Sequence, residues 1–253
     1  MSTSDIADAM QLSTLAGWNQ TAEDWNRLLS LACAHCFCIE HEARVVATST
    51  LLCYGTDIAW LGMVLTHPGH RGNGYARHLV KHCLDCAAQL GVRTIKLDAT
   101  EAGRRVYQRL GFEDEQPIER WERSGPASLP SSPQRFCRAL DGAAYGYDRS
   151  GVLATLGCED GCSDAFLLTR PGWLRPYLGP FISTTVDAAR ALLSALPNDS
   201  GCFWDILPSN GSAVELAREF GFTPVRLLVR MRMGEERPER SNLIYGIAGF
   251  ELG

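Results

Sequence analysis

Residues 67–76, HPGHRGNGYA, set Arg71, Gly72 and Gly74 between an apolar run and a segment with helical spacing. Glycines at such a junction leave the first N–H groups of a helix without partners. These groups point at one spot and are reinforced by the positive end of the helix dipole, which is the chemistry of an anion site. Glycine at 72 and 74 keeps side chains away from a bulky phosphate group, and Arg71 adds a full positive charge. The spacing is not G-x-x-x-x-G-K-[ST], and only two glycines match a dinucleotide fingerprint, so the pattern alone does not separate a cradle from a turn. His78, His82 and Cys86 recur every four residues, a ligand-like spacing, but their stripe lies beside the apolar face and reads as surface. In CAHCFC, alternation turns Cys36 and Cys38 to one face as core-sized residues, and Cys158 and Cys162 flank an acidic loop with no second pair nearby. No metal site is expected.

The elements that must position these groups follow from period and punctuation. Thr21, with an acid three residues on, opens a helix whose Trp25, Leu28, Leu29 and Ala32 share a face. CFCIE and RVVATSTLLCY read as strands, and DIAWLGMVLT as a strand buried on both sides. From Gly72 onward Ala76, Leu79, Val80, Cys83, Ala87 and Leu90 form one helical stripe that Gly91 ends. RTIKLDA is then a strand, EAGRRVYQRL a helix stopped at Gly111, and FEDEQPIERWER a closing strand pair broken at Pro117. Residues 124–133, SGPASLPSSP, have linker composition. Beyond them the pattern runs helix, strand AFLLTR, strand GPFIST, helix TVDAARALLSALP, strand GCFWDIL, helix SAVELAREF, strand PVRLLVRMRM and a last strand LIYGIAGFEL. AVELAREFGFTP echoes RRVYQRLGFEDE, which suggests a duplicated fold, with domains at 1–123 and 134–253.

Bulk properties narrow the function classes. A chain of 253 residues with 45% apolar and 21% charged residues suits two globular halves. The net charge of -5, with no basic run, excludes the electrostatic footprint of a nucleic-acid binder. With no uncharged stretch of about 18 apolar residues and acids where a signal peptide would carry bases, the expectation is a cytoplasmic chain with no membrane segment, its ten cysteines reduced.

Taken together, LTHPGHRGNGYARHLV, the preceding strand IAWLGMVL and the downstream VYQRLGFE resemble three motifs, in order, of the GNAT N-acetyltransferase superfamily. Its acyl-coenzyme A loop, [QR]-x-x-G-x-[GA], is matched here by Arg71, Gly74 and Ala76, and the likeness covers about residues 17–122. The second half resembles the degenerate GNAT-like domain that follows the catalytic one in some bacterial two-domain members. The resemblance implies an α/β (α+β) architecture of tandem GNAT-like domains, each a mixed, mostly antiparallel sheet flanked by helices. It implies acetyl-CoA as acyl donor, its pyrophosphate held by the backbone N–H groups of Arg71, Gly72, Asn73, Gly74, Tyr75 and Ala76. The backbone of Met63, Val64 and Leu65 would line the pantetheine slot, where an N–H could polarise the thioester carbonyl.

Transfer from a thioester to an amine requires a neutral amine, a stabilised oxyanion and a proton for the departing thiolate. Tyr107, ahead of Leu-Gly-Phe, is the candidate proton donor. The buried strand lacks the glutamate that relatives often place there, which leaves Asp98 or ordered water as the base, with a helix-cap role as the alternative for Asp98. Trp18, Asn19 and Trp25 lie where the family's variable helices roof the acceptor pocket. Ala217 stands at the position of Tyr107 in the second half, and no glycine loop precedes TVDAARALL, so that half is expected to cover the pocket or to pair with a second copy. The competing reading is a non-catalytic acyl-CoA sensor or interaction module.

Overall fold

The computed structural model describes residues 1–127, 135–161, 163–197 and 200–253. Residues 128–133 of the expected linker, and Cys162, lie outside the described residues. The first half contains helices α1 (Ile6–Leu15) and α2 (Ala22–Ser30), strands β1 (Ala34–His41), β2 (Arg44–Tyr54) and β3 (Ile58–Thr66), helix α3 (Tyr75–Gln89), strand β4 (Thr94–Ala99), helix α4 (Glu101–Gln108) and strand β5 (Glu113–Arg123). Short β6 (Arg135–Phe136), helices α5 (Arg138–Tyr145) and α6 (Ser150–Ala154), and short β7 (Glu159–Asp160) follow. Then come β8 (Ala165–Arg170), β9 (Tyr177–Ser183), α7 (Val186–Ser194), β10 (Cys202–Ile206), α8 (Gly211–Glu219), β11 (Thr223–Gly234) and β12 (Ile244–Gly246).

Local chemistry accounts for the helices near the site. Thr21 caps α2 reciprocally: its backbone N–H donates to Asp24 Oδ2 at 2.8 Å while its hydroxyl accepts from the Asp24 N–H. Thr100, not Asp98, caps α4 by accepting from the Gly103 N–H at 3.2 Å. Trp25 and Leu28 of α2 pack with Trp60 and Met63 on one face of the sheet, and Val80 and Cys83 of α3 pack with Leu61 and Leu97 on the other. β3 is apolar along its length because both faces are covered.

Among the described residues a single ten-stranded sheet runs through both halves, in the order β1-β2-β3-β4-β11-β5-β10-β9-β12 with β8 beside β9. Each half lends its long closing strand to the other. β11 pairs antiparallel with β4 from Val229↔Ala99 to Gly234↔Thr94, and β5 pairs antiparallel with β10 from Cys202↔Arg123 to Ile206↔Glu119. β5 is one strand instead of a broken pair, since Pro117 lies where β10 does not reach. The expected last strand stops at Gly246, and the chain then turns tightly. Gly249, at φ +145°, accepts from the N–H groups of Leu252 and Gly253 at 3.1 and 2.9 Å. No helix among the described residues is long and apolar enough to cross a membrane.

A buried ionic network joins the exchanged strands. Arg230 of β11 forks onto Asp98 of β4 at 2.9 and 3.2 Å and reaches Glu239 at 2.7 Å, while Lys96 of β4 reaches Glu239 at 3.0 Å and Glu115 of β5 at 2.7 Å. Removing one member of such a network leaves a charge uncompensated, at a cost of about 3–5 kcal/mol.

Candidate functional site

Gly72 and Gly74 adopt φ +84° and +77°, the left-handed region that glycine enters without penalty, and a Cβ on either would meet nothing within 4 Å. Both glycines are therefore required by backbone geometry, and the space above them is open. Gly74 is the N-cap of the fifteen-residue α3 and offers no side-chain cap. The first intrahelical bond runs from the His78 N–H to the Gly74 carbonyl at 3.0 Å, so the N–H groups of residues 72–77 meet no acceptor among the described residues. The Arg71 N–H differs from expectation, because it is turned to the Pro68 carbonyl at 3.4 Å. Its side chain remains exposed beside the turn.

β3 and β4 are paired, in parallel, only from Ile58↔Thr94 to Trp60↔Lys96. Past that point they diverge, and a cavity opens between Leu61, Met63 and Val64 on one side and Leu97, Asp98 and Ala99 on the other. Ala76 and Val80 of α3 border it, which connects the cavity to the glycine turn. A bulge shapes its wall: Met63 and Val64 together face Ser49, and Met63 has φ +50°. The Thr48 hydroxyl donates to the Met63 carbonyl at 2.8 Å, holding this unusual conformation. Leu65, one residue on, is packed with Leu12 and Val45 and does not line the cavity.

Tyr107 of α4 also lines this space. Its ring stands edge-on to Phe112 at 5.9 Å and lies against Gly103, where a Cβ would come within 3.1 Å of it. Its hydroxyl makes no hydrogen bond among the described residues, and burial pushes its pKa well above the ordinary phenol value, so it stays protonated near neutrality.

Asp98 reaches the cavity wall, but both of its oxygens are held by Arg230, and the two side chains are fully buried. Burial raises its carboxyl pKa while Arg230 opposes the rise. It is a member of the network joining the halves, poorly placed to accept a proton from a ligand. Of the three residues expected over the acceptor pocket, only Trp18 lines the cavity. Trp25 is fully buried under α2, because its helix presents that face to Trp60 and Leu52. Asn19 clamps a loop of the second half: Nδ2 donates to the Arg175 carbonyl at 2.9 Å, and Oδ1 accepts from the N–H groups of Leu174 and Arg175.

Gln20, Arg120, Arg226, Phe250 and Glu251 also line the cavity and were missed by sequence reasoning. Glu251 comes from the turn after β12, which is bound to β2 and β3. The Trp60 indole N–H donates to the Phe250 carbonyl at 3.0 Å, and the Tyr54 hydroxyl donates to the Leu252 carbonyl at 2.5 Å. Glu251 passes so close to Gly62 that a Cβ there would meet its Cα at 3.1 Å. A lone glycine in an apolar strand marks close approach of another segment, and this was the available signal. Gln20 Nε2 donates to Glu251 Oε2 at 2.9 Å, and Arg170 lies 3.3 Å from Oε1. Burial raises the Glu251 carboxyl pKa, with Arg170 opposing the rise.

The corresponding place in the second half is filled. Thr185 caps α7 by accepting from the Ala188 N–H at 3.2 Å, which consumes a donor whose counterpart at α3 meets no acceptor among the described residues. β9 and β10 pair at Phe203↔Tyr177 and Trp204↔Leu178, then β12 takes over at Ile244↔Ile182 and Gly246↔Phe181. With β8 along the other edge of β9, β12 lies in the opening between β9 and β10. Trp204 seals it by donating to the Tyr245 carbonyl at 2.9 Å, and Ala217 is fully buried.

Comparison with known proteins agrees with this architecture. The acetyltransferase (GNAT) family model matches residues 6–112, and an acetyltransferase (GNAT) domain model matches residues 137–246. A candidate acetyltransferase from Pyrococcus horikoshii superposes with TM-score 0.86 at 21% identity, covering 100% of this chain and 94% of that one. A tandem GNAT protein from the clavulanic acid biosynthesis pathway superposes with TM-score 0.62 at 11% identity, covering 94% and 98% of the two chains. A candidate acetyltransferase from Thermoplasma acidophilum gives TM-score 0.57 at 15% identity, covering 92% and 98%. No curated protein matches the sequence. With a match in each half, and the splayed strands and glycine turn in the first, the chain belongs to the GNAT acetyltransferase superfamily as a two-domain member.

Proposed function

We propose that this chain transfers the acetyl group of acetyl-CoA directly to an amine, and that residues 1–123 form the working domain and 134–253 a domain without its own site. The observation that carries this reading is the conjunction of the N–H groups of residues 72–77, which meet no acceptor among the described residues, with the opening between β3 and β4, which Ala76 borders, and with the Tyr107 hydroxyl on its wall, which makes no hydrogen bond among those residues. These residues fit the donor. The N–H cradle suits a pyrophosphate, and the diverging strands leave backbone amides for the pantetheine arm. The bulge at Met63 and Val64 offers backbone polarity where the thioester carbonyl would lie.

In this reading the Tyr107 phenol supplies the proton taken up by the departing thiolate. Glu251 replaces Asp98 as proton acceptor for the attacking amine. One of its oxygens is held only by a neutral amide and the other by a longer arginine contact, whereas Asp98 is gripped twice by one guanidinium. Glu251 over Gly62 supplies a carboxylate where β3 has none, and that lack was the ground for a non-catalytic sensor. The cytoplasm is the proposed place of action.

The test is the shift in melting temperature with acetyl-CoA against the same concentration of dephosphorylated pantetheine. A ligand at about 100 times its Kd adds about 2.7 kcal/mol of stability. The expected result is a shift with the full donor only; absence of any shift contradicts the reading.

A further inference from the structure

Four charged side chains line the cavity: Asp98, Arg120, Arg226 and Glu251. Three have partners of opposite charge. Asp98 is held by Arg230, Glu251 by Arg170, and Arg120 by Asp205 through two bonds of 2.8 and 2.7 Å. Arg120 is further enclosed by the rings of Phe203 and Phe250, 4.9 and 4.7 Å from its guanidinium carbon. Arg226 makes no ion pair and no hydrogen bond among the described residues; the carboxylate that acts on it, Asp205, is bound through both oxygens to Arg120. Arg226 stands opposite Arg120 in the β11–β5 register, half-buried, so two guanidinium groups lie side by side at the cavity wall, with Asp205 behind them. Burial, with Arg120 adding to it and Asp205 opposing, lowers the Arg226 pKa. A cation withdrawn from water and left without an anion is unfavourable, and a bound anion relieves it.

We infer that the acceptor carries a carboxylate as well as its amine, the carboxylate received by Arg226 and the amine facing Glu251. This rests on the amine-transfer reading above. The fork of a guanidinium matches a carboxylate through two parallel bonds, and one guanidinium without an ion pair of its own balances a monoanion, not a phosphate dianion. Trp18, Leu228 and Phe250 give the cavity apolar walls for the acceptor's hydrocarbon part.

The experiment incubates the full chain and acetyl-CoA with either the pooled twenty L-amino acids or the pool of their carboxamides, which keep the amine and lose the charge. Acetylated products are read by mass spectrometry, and kcat/KM is measured for the best substrate of each pool. The expected result is at least a 10-fold preference for the acids. Arg226→Met should lower kcat/KM for the acid about 10- to 100-fold without changing that for the amide, and Arg226→Lys should recover part of the loss. Amides accepted as well as acids, or a preference unchanged in Arg226→Met, would overturn the inference. Product from neither pool, with the acetyl-CoA melting shift intact, overturns this acceptor class alone. Loss of the melting shift as well would instead remove the transferase reading.

Discussion

The openings after β3 and after β9 are built from the same parts and have opposite contents. In the first half, α3 begins at a glycine where the N–H groups of residues 72–77 meet no acceptor among the described residues, and the space between β3 and β4 is a cavity bordered by Tyr107. In the second, α7 begins at a threonine that takes up one of those donors, β12 lies between β9 and β10, and the place of Tyr107 is a buried alanine. Splayed parallel strands expose unpaired backbone amides, and these must be met by a ligand or by the chain itself. The second half meets them with its own last strand. That same segment then continues to β3 and carries Phe250 and Glu251 into the first cavity, so the closed opening supplies part of the wall of the open one.

The largest effect should come from Tyr107→Phe, which removes only the hydroxyl from the open site. We expect kcat to fall about 100-fold or more, with the acetyl-CoA melting shift retained, as read by single-substrate kinetics and thermal melts. An unchanged kcat would remove the proton donor from the account.

Glu251→Gln should come next, lowering turnover about 10- to 100-fold at neutral pH. A base works when deprotonated, and burial raises the Glu251 carboxyl pKa, so wild-type kcat/KM should climb with pH through a midpoint above the ordinary value of 4.5. The variant's profile should lose that step. A step that survives in Glu251→Gln and vanishes in Asp98→Asn would return the role to Asp98.

The smallest effect separates the two helix starts. Thr185→Ala should cost about 1 kcal/mol of stability through loss of the cap, measured by denaturant unfolding, and leave the acetyl-CoA melting shift untouched. Gly74→Ala should cost a similar amount through its positive φ, but should also shrink that shift.

The turn and the flanking strand and helix were legible because glycine punctuation and hydrophobic period are local properties. The same holds for the Thr21 cap, whereas Tyr107, which borders the cavity, was singled out through the resemblance of VYQRLGFE to the GNAT motif. What could not be read depends on pairing across distance. Asp98 was visible at the end of its strand, yet its role is decided by Arg230, 132 residues away. Gln20 and Glu251 meet across 231 residues, and the exchange of β5 and β11 has no counterpart in any local period. Trp25 shows a different limit. An amphipathic helix declares which residues are buried, but not whether they face the core or a ligand.

The most direct test of the contrast between the two openings is a calorimetric titration of the full chain with acetyl-CoA. The account predicts one molecule bound per chain, with the heat lost in a variant carrying Gly72→Val and Gly74→Val. Two molecules bound per chain would contradict the closure of the second half, and retention of full binding by the double variant would contradict the glycine cradle.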